Sequence, residues 1–214
     1  MERRIDCCRF CNIFDKIYNY EIDKPFACNE QFMAVASIGA MVEGWTLIIP
    51  QKHQLSMKLC YNEMAFKSLV NKIIPVMIEK YGSLIAFEHG SNKDGSLTSC
   101  GTNHAHLHLV PFYDQGTLLS SYRPRMKWDT SHSSEIAEKV KNNEYLFYYN
   151  LKTSIEWNNP QGQLHILKEP VSQFFRHFIA FYLGRSGESN YREFPFLKNA
   201  EKTRETLAYA NALN

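Results

Sequence analysis

Hydrophobic and polar positions alternate most strictly at residues 104–109, His-Ala-His-Leu-His-Leu, after which the chain turns apolar at Val110 and meets Pro111. A period of two is the signal of a strand, and successive side chains on a strand point to opposite faces. The pattern predicts His104, His106 and His108 on one face, with Ala105, Leu107 and Leu109 in a core behind them. Residues 31–38 also read as a strand. After a turn over 39–44, Trp-Thr-Leu-Ile-Ile at 45–49 is a continuous apolar and β-branched run that predicts a buried strand ended by Pro50. The two form an antiparallel pair with a short connection. Residues 62–81 carry apolar side chains at helical spacing from Met64 to Met77. Asn62 is the expected N-cap, Gly82 the stop, and Pro75 should kink or interrupt the helix. Residues 83–88 predict another strand, and 91–101 a polar, glycine-bearing loop that leads into the histidines.

Beyond Phe112 the pattern changes. Residues 113–133 read as irregular and polar, a substrate lid or a solvated linker. Residues 134–142 predict a short charged helix, and 145–149 and 163–167 two strands joined as a hairpin across Asn-Asn-Pro-Gln-Gly. Residues 171–183 predict a strongly apolar helix stopped at Gly184, and 198–213 an amphipathic surface helix. Arg176 lies among the aromatics of the apolar helix, so it needs an anionic partner or water. The candidates are a phosphate at the histidines, Glu188 and Glu193.

A chain of 214 residues with 14 Phe and 12 Tyr can bury a substantial core. A formal net charge of +2 gives no mandate for nucleic acid. The first residues carry charge with no apolar run behind them, unlike a signal peptide, and no stretch approaches the length of a membrane span. Six cysteines, three of them crowded at 7, 8 and 11, fit a reducing cytoplasmic setting better than a disulfide scaffold. Cys8-x-x-Cys11 can supply half of a tetrahedral zinc site, or be a metal-free thiol pair, and Cys7 is a neighbouring substitute. Three imidazoles in register are poor stabilising devices, since each needs partners once water is removed. They point instead to nucleophilic, acid–base or metal chemistry.

His-x-His-x-His followed by apolar residues, preceded by Cys8-Arg-Phe-Cys11, Gly44-Trp-Thr-Leu-Ile-Ile-Pro-Gln-Lys-His53 and Phe87-Glu-His-Gly90, resembles the histidine triad (HIT) superfamily of nucleotide hydrolases and transferases over roughly the first half of the chain. The resemblance implies an α+β, HIT-like fold. Its antiparallel sheet of about five strands with flanking helices would be formed by residues 1–112, with an α/β extension at 113–214. It implies a nucleotide substrate, a dinucleoside polyphosphate or a nucleoside phosphoramidate, cleaved through a covalent nucleotidyl-histidine on His106. A nucleotidyltransferase shares that intermediate, and a zinc-stabilised nucleotide-binding protein without turnover is the rival of another class.

His108 would bind phosphate or protonate the leaving group. His104 would position its neighbours or join Cys8, Cys11 and His53 around a structural zinc. Ile13 and Phe14 fall where the family lines its base pocket, and apolar packing would equally account for both. Ser99, Thr102 and Asn103 are the candidate phosphate donors. Magnesium can accompany the substrate, and many relatives are homodimers. Two departures stand out: Ser37 where an acidic residue usually holds the ribose, and Cys100 where Gln is frequent. Glu88 and His89 would orient a triad imidazole or form a surface pair.

Overall fold

The computed structural model describes residues 8–152 and 154–212; Cys7 and the predicted helix end at Leu213 lie outside the described residues. The elements in chain order are α1 (Arg9–Phe14), β1 (Ala27–Cys28), β2 (Phe32–Ala36), β3 (Thr46–Pro50), α2 (Met64–Tyr81), β4 (Leu84–Gly90) and β5 (Leu107–Pro111). There follow α3 (Leu118–Tyr122), β6 (Asp129–His132), α4 (Ile136–Val140), β7 (Tyr145–Lys152), β8 (Gln161–Ile166), α5 (Phe174–Tyr182) and α6 (Leu197–Ala212).

One antiparallel sheet holds eight strands in the order β1-β2-β3-β5-β4-β7-β8-β6. The first five are the α+β sheet expected from the sequence. The extension adds both strands to the sheet and a helix, α5, that covers one of its faces. Its β7 continues the sheet, pairing with β4 from Leu84↔Lys152 to Gly90↔Tyr145. The predicted 145–149/163–167 hairpin is present, and β8 is also paired on its far side with β6, within the stretch read as irregular. β2, β3 and β4 are buried along their whole length, because both faces of the sheet are covered.

On one face α2 packs Phe66, Leu69, Val70, Ile73, Ile74 and Met77 against Ile48, Ala86, Leu107 and Leu109. On the other, α1 and α5 cover Leu47, Ile85, Phe87 and Val110. The alternation of 104–109 therefore sorts as read: Ala105, Leu107 and Leu109 lie in the α2-side core, the imidazoles on the α5 side. The strand itself is shorter than predicted. The ladder begins at Leu107, because the Ala105 N–H is taken by the Gln54 carbonyl (2.6 Å) and that of His104 by Thr102 (2.8 Å).

Pro75 does not interrupt α2, which runs as one 18-residue helix. The missing N–H costs one bond, to the Asn71 carbonyl, while buried residues on both sides of the proline hold the helix to the sheet. Asn62 is not its cap: residues 60–62 form a separate 3-10 turn, and Glu63 occupies the extended N-cap position.

Glu88 is buried on the α2 side and accepts hydrogen bonds from Met57 N (2.6 Å), Tyr61 Oη (2.5 Å) and Tyr145 Oη (2.6 Å). It is neither a surface residue nor a partner of the triad. Burial pushes its carboxyl up to about 7, against the pull of these donors. Between pH 4.5 and about 7 the folded chain then keeps a proton that the unfolded chain releases, so this group's contribution to stability falls as pH rises through that window. We predict that Glu88→Gln removes the fall. Relative to wild type, the variant should gain up to about 3 kcal/mol in unfolding free energy across the window, read by denaturant titration at each pH. A difference that does not change with pH would refute the raised carboxyl.

Candidate active site

His104, His106 and His108 sit where the chain enters β5, beneath α1 and α5. His104 and His108 are buried, whereas His106 remains partly exposed. The His106 and His108 ring centroids are 4.8 Å apart. Phe10, between Cys8 at the N-cap of α1 and Cys11 within it, places its ring edge-on against both His104 (5.6 Å) and His106 (5.5 Å). An ion pair from Arg9 to the buried Asp23 pins this short helix.

Each imidazole has one nitrogen committed. His106 Nδ1 lies 2.9 Å from the His104 carbonyl. A carbonyl only accepts, so Nδ1 carries the proton and Nε2 keeps its lone pair. His108 is the reverse case. Its Nδ1 is 2.9 Å from Trp45 Nε1, which can only donate, so in neutral His108 the proton sits on Nε2. Phe87 stacks on the His108 ring at 4.3 Å. His104 Nε2 donates to the Pro50 carbonyl (2.8 Å), which leaves Nδ1 as the acceptor.

Burial lowers all three basicities: His104 to about 4, His106 below its ordinary value, and His108 well below it. Repulsion from neighbouring groups, were both protonated, adds to the effect among the imidazoles, and the guanidinium charges of Arg9 at His106 and Arg176 at His108 act in the same direction. His89, brought down to about 3 chiefly by burial, accepts from the Phe175 N–H (3.3 Å) and makes no hydrogen bond to the triad.

The acceptor Nδ1 of His104 faces two thiols, 3.3 Å from Cys8 Sγ and 3.6 Å from Cys11 Sγ, and His53 Nδ1 is 3.3 Å from Cys11 Sγ. All four ligand atoms lie within 4.8 Å of one another. A tetrahedral zinc bound to sulfur and nitrogen would separate the two by about 3.6 Å. The residues thus fit a metal ion and are compatible with zinc. The Pro50 carbonyl fixes the His104 ring as a ligand requires; His53 lacks such support, its buried Nε2 finding no partner among the described residues.

In the preceding loop, the Ser99 hydroxyl is shared between the Ser96 carbonyl (2.7 Å) and Asn103 Oδ1 (2.9 Å), and that Oδ1 also accepts from Gly95 N. No hydrogen bond of the Thr102 hydroxyl or of Asn103 Nδ2 occurs among the described residues, so these two remain open to a ligand. The extension ties the loop down. Thr98 Oγ1 donates to Glu144 (2.6 Å) and accepts from Val171 N (3.2 Å). Cys100 Sγ accepts from Gln173 N (3.1 Å), and Tyr191 Oη donates to the Cys100 carbonyl (3.0 Å). Cys100, in the left-handed region, is thus a loop anchor.

Ile13 is buried beside Phe10 in the α5-side core, with Phe14 partly exposed at its margin. Ser37 donates to the Ile38 carbonyl (3.0 Å), with its N–H given to the Trp45 carbonyl. Arg176 takes neither expected carboxylate. It donates to the carbonyls of Ser189 (2.9 Å) and Gly39 and lies over the Trp45 ring (4.9 Å), while Glu188 is held by Arg185. Gly39 (φ +76°) admits this approach, since a Cβ there would fall 2.7 Å from Arg176 Nη2. Trp45 is the site residue that sequence reasoning missed; its indole N–H, the one polar side-chain group among apolar neighbours apart from Thr46, was the available signal.

These partners predict opposite tautomers for adjacent triad members. Nitrogen NMR of histidine-labelled protein should show His106 protonated at Nδ1 and His108 at Nε2. Trp45→Phe should leave His106 unchanged and return His108 to a mixture. A His108 that keeps its tautomer in the variant would remove the indole as its determinant.

No family model matches the chain. Among curated proteins it is similar to an uncharacterized HIT-like protein of Mycoplasma genitalium, 30% identical over 111 residues that cover 51% of this chain and 75% of that one. Among solved structures it is similar to a hypothetical histidine triad nucleotide-binding protein of Sulfolobus tokodaii. The two are 23% identical with a TM-score of 0.38, over 50% of this chain and 70% of the other. With three-quarters of a HIT-like relative matched at 30% identity, and the three histidines of the motif gathered on one face of an antiparallel sheet, the chain belongs to the histidine triad superfamily.

Proposed function

We propose that the chain is a nucleotide hydrolase that cleaves a phosphoanhydride or phosphoramidate bond through a nucleotidyl-histidine on His106. The observation that carries this reading is the 2.9 Å contact from His106 Nδ1 to the His104 carbonyl, which leaves Nε2 of this partly exposed residue with its lone pair. Nε2 attacks the phosphorus; the Nε2–P bond forms as the bond to the leaving group breaks and its electron pair departs with that group. A phosphate leaving group is stable as the anion, and an amine takes its proton from water. Water then attacks phosphorus in the second step and gives up a proton to solvent; the P–Nε2 bond breaks, its electron pair returns to Nε2, and the neutral imidazole is restored with its proton still on Nδ1.

His108 is neutral, so proton transfer from it would leave an imidazolate. Its Nε2–H acts instead as a hydrogen-bond donor to a phosphoryl oxygen, where charge develops. Thr102 and Asn103 Nδ2 are further donors. Zinc bound by Cys8, Cys11, His53 and His104 would serve structure, since four protein ligands leave no open position. It would hold α1, and with it Phe10, against the triad. If an acceptor other than water resolves the intermediate, the same first step makes the chain a nucleotidyltransferase.

His106→Ala should abolish turnover, by at least a thousandfold in kcat, with circular dichroism and metal content unchanged. Wild type mixed rapidly with substrate and denatured should retain an acid-labile nucleotide that His106→Ala lacks. Activity retained by the variant on a dinucleoside polyphosphate and phosphoramidate panel would refute the proposal. Products formed with and without added phosphate, read by phosphorus NMR, separate hydrolysis from transfer.

Protein purified without chelator should contain about one zinc per chain, which the double substitution Cys8→Ser and Cys11→Ser removes while lowering the melting temperature. Elemental analysis that finds no metal in wild type would overturn the zinc assignment.

A further inference from the structure

We propose that the C-terminal extension carries a second binding site, separate from the triad, for a small amphipathic anion: an apolar chain or ring with a negatively charged head. The site is an open groove of about 820 Å³ between residues 123–126, the end of β8 and the segment that leads into α5. Such a volume suits a small organic ligand. Its floor is apolar, made by Met126, Leu167, Val171 and Phe174, all packed in the α5-side core. Its rim carries Arg123, Arg125 and Lys168 against one acidic residue, Glu169.

The charges decide the ligand class. Among the described residues, none of the three rim cations forms an ion pair, whereas Arg9, Lys24, Lys139 and Arg185 each hold a carboxylate. Arg123 instead lies 5.4 Å over the Tyr122 ring, a contact that leaves its charge uncompensated. Three uncompensated cations beside an apolar floor favour an anion over a cation of equal hydrophobicity. The floor in turn favours an apolar body over a bare inorganic ion. The recess is concave, which suits one chain or ring better than the plane of a bilayer.

A row of aromatic rings divides this groove from the triad. Phe174 in its floor packs edge-on against Phe175 (5.2 Å), Phe175 lies on Phe87 (4.7 Å), and Phe87 is stacked on His108 (4.3 Å). The groove is thus on the far side of the first turn of α5 from the histidines. The site does not depend on the catalytic reading of His106.

Decyl phosphate provides the test, used with the intact chain below its micelle concentration and with anilinonaphthalene sulfonate as fluorescent reporter. Decyl phosphate should displace the reporter at one site per chain, and decyltrimethylammonium should not. The triple charge reversal Arg123→Glu, Arg125→Glu, Lys168→Glu should weaken binding at least tenfold. Val171→Trp, which fills the floor and keeps every charge, should do the same, so the test stands if the triple variant fails to fold. Saturating adenosine monophosphate should leave the affinity unchanged. Equal displacement by the cationic amphiphile, or unaltered affinity in Val171→Trp, would overturn the proposal. Competition by the nucleotide would overturn it by making the groove part of the triad's site. Binding to phosphatidylglycerol vesicles without binding to the monomeric amphiphile would overturn it in favour of a membrane surface.

Discussion

The constraint on which the site depends is the backbone at His104. Its carbonyl holds the Nδ1 proton of His106, and its own ring spans from the Pro50 carbonyl to the thiols of Cys8 and Cys11. One residue therefore links strand β3, helix α1 and the ring beside it. If His104 turned, the neighbouring imidazole would lose its tautomer and the cysteine segment its anchor together. This also accounts for the late start of β5. A ladder running through residue 104 would engage backbone groups that here serve other partners: the Ala105 N–H meets Gln54, and the His104 carbonyl meets His106. The break in regular pairing is what frees a carbonyl to orient a side chain.

The rings around the triad keep it neutral. Phe10, Phe87, Trp45 and Phe175 replace water on one side of the sheet, and burial is the leading reason that each imidazole resists a proton. Arg176 is buried in the same region and, among the described residues, pairs with no carboxylate. Its guanidinium is satisfied by carbonyl oxygens and by the Trp45 face, so its charge is not cancelled locally and adds to the bias against protonating His108. A carboxylate in its place would have opposed that bias.

How much of this was legible in the sequence depended on the range of each interaction. The alternation at 104–109 and the spacing of α2 are local, and they sorted side chains correctly between the two faces. The Cys8, Cys11, His53 and His104 grouping follows from the family resemblance, and the four residues do meet. What failed was pairing across the chain. Nothing in residues 145–152 states that they lie against β4, since an apolar strand pattern names no partner. The sequence around Arg176 calls for a phosphate, a carboxylate or water as its partner; a carbonyl acceptor at Gly39, 137 residues away, carries no sequence mark. Trp45 was read as one more apolar residue of a buried strand, although the register that sets Leu47 opposite His108 also brings its N–H to that ring.

The extension is integral to the site through the loop before the triad. Glu144, Val171, Gln173 and Tyr191 come from the C-terminal half and hold Thr98 and Cys100. These contacts fix the backbone of the loop beside the histidines on the scaffold of the C-terminal half. At Cys100 the thiol is the acceptor for a backbone N–H at the start of α5, so its departure from the usual family residue has a structural counterpart in the added helix. The core and the extension have therefore adjusted to each other at the same loop. The strands of both halves form one sheet, and α5 of the C-terminal half closes its histidine face.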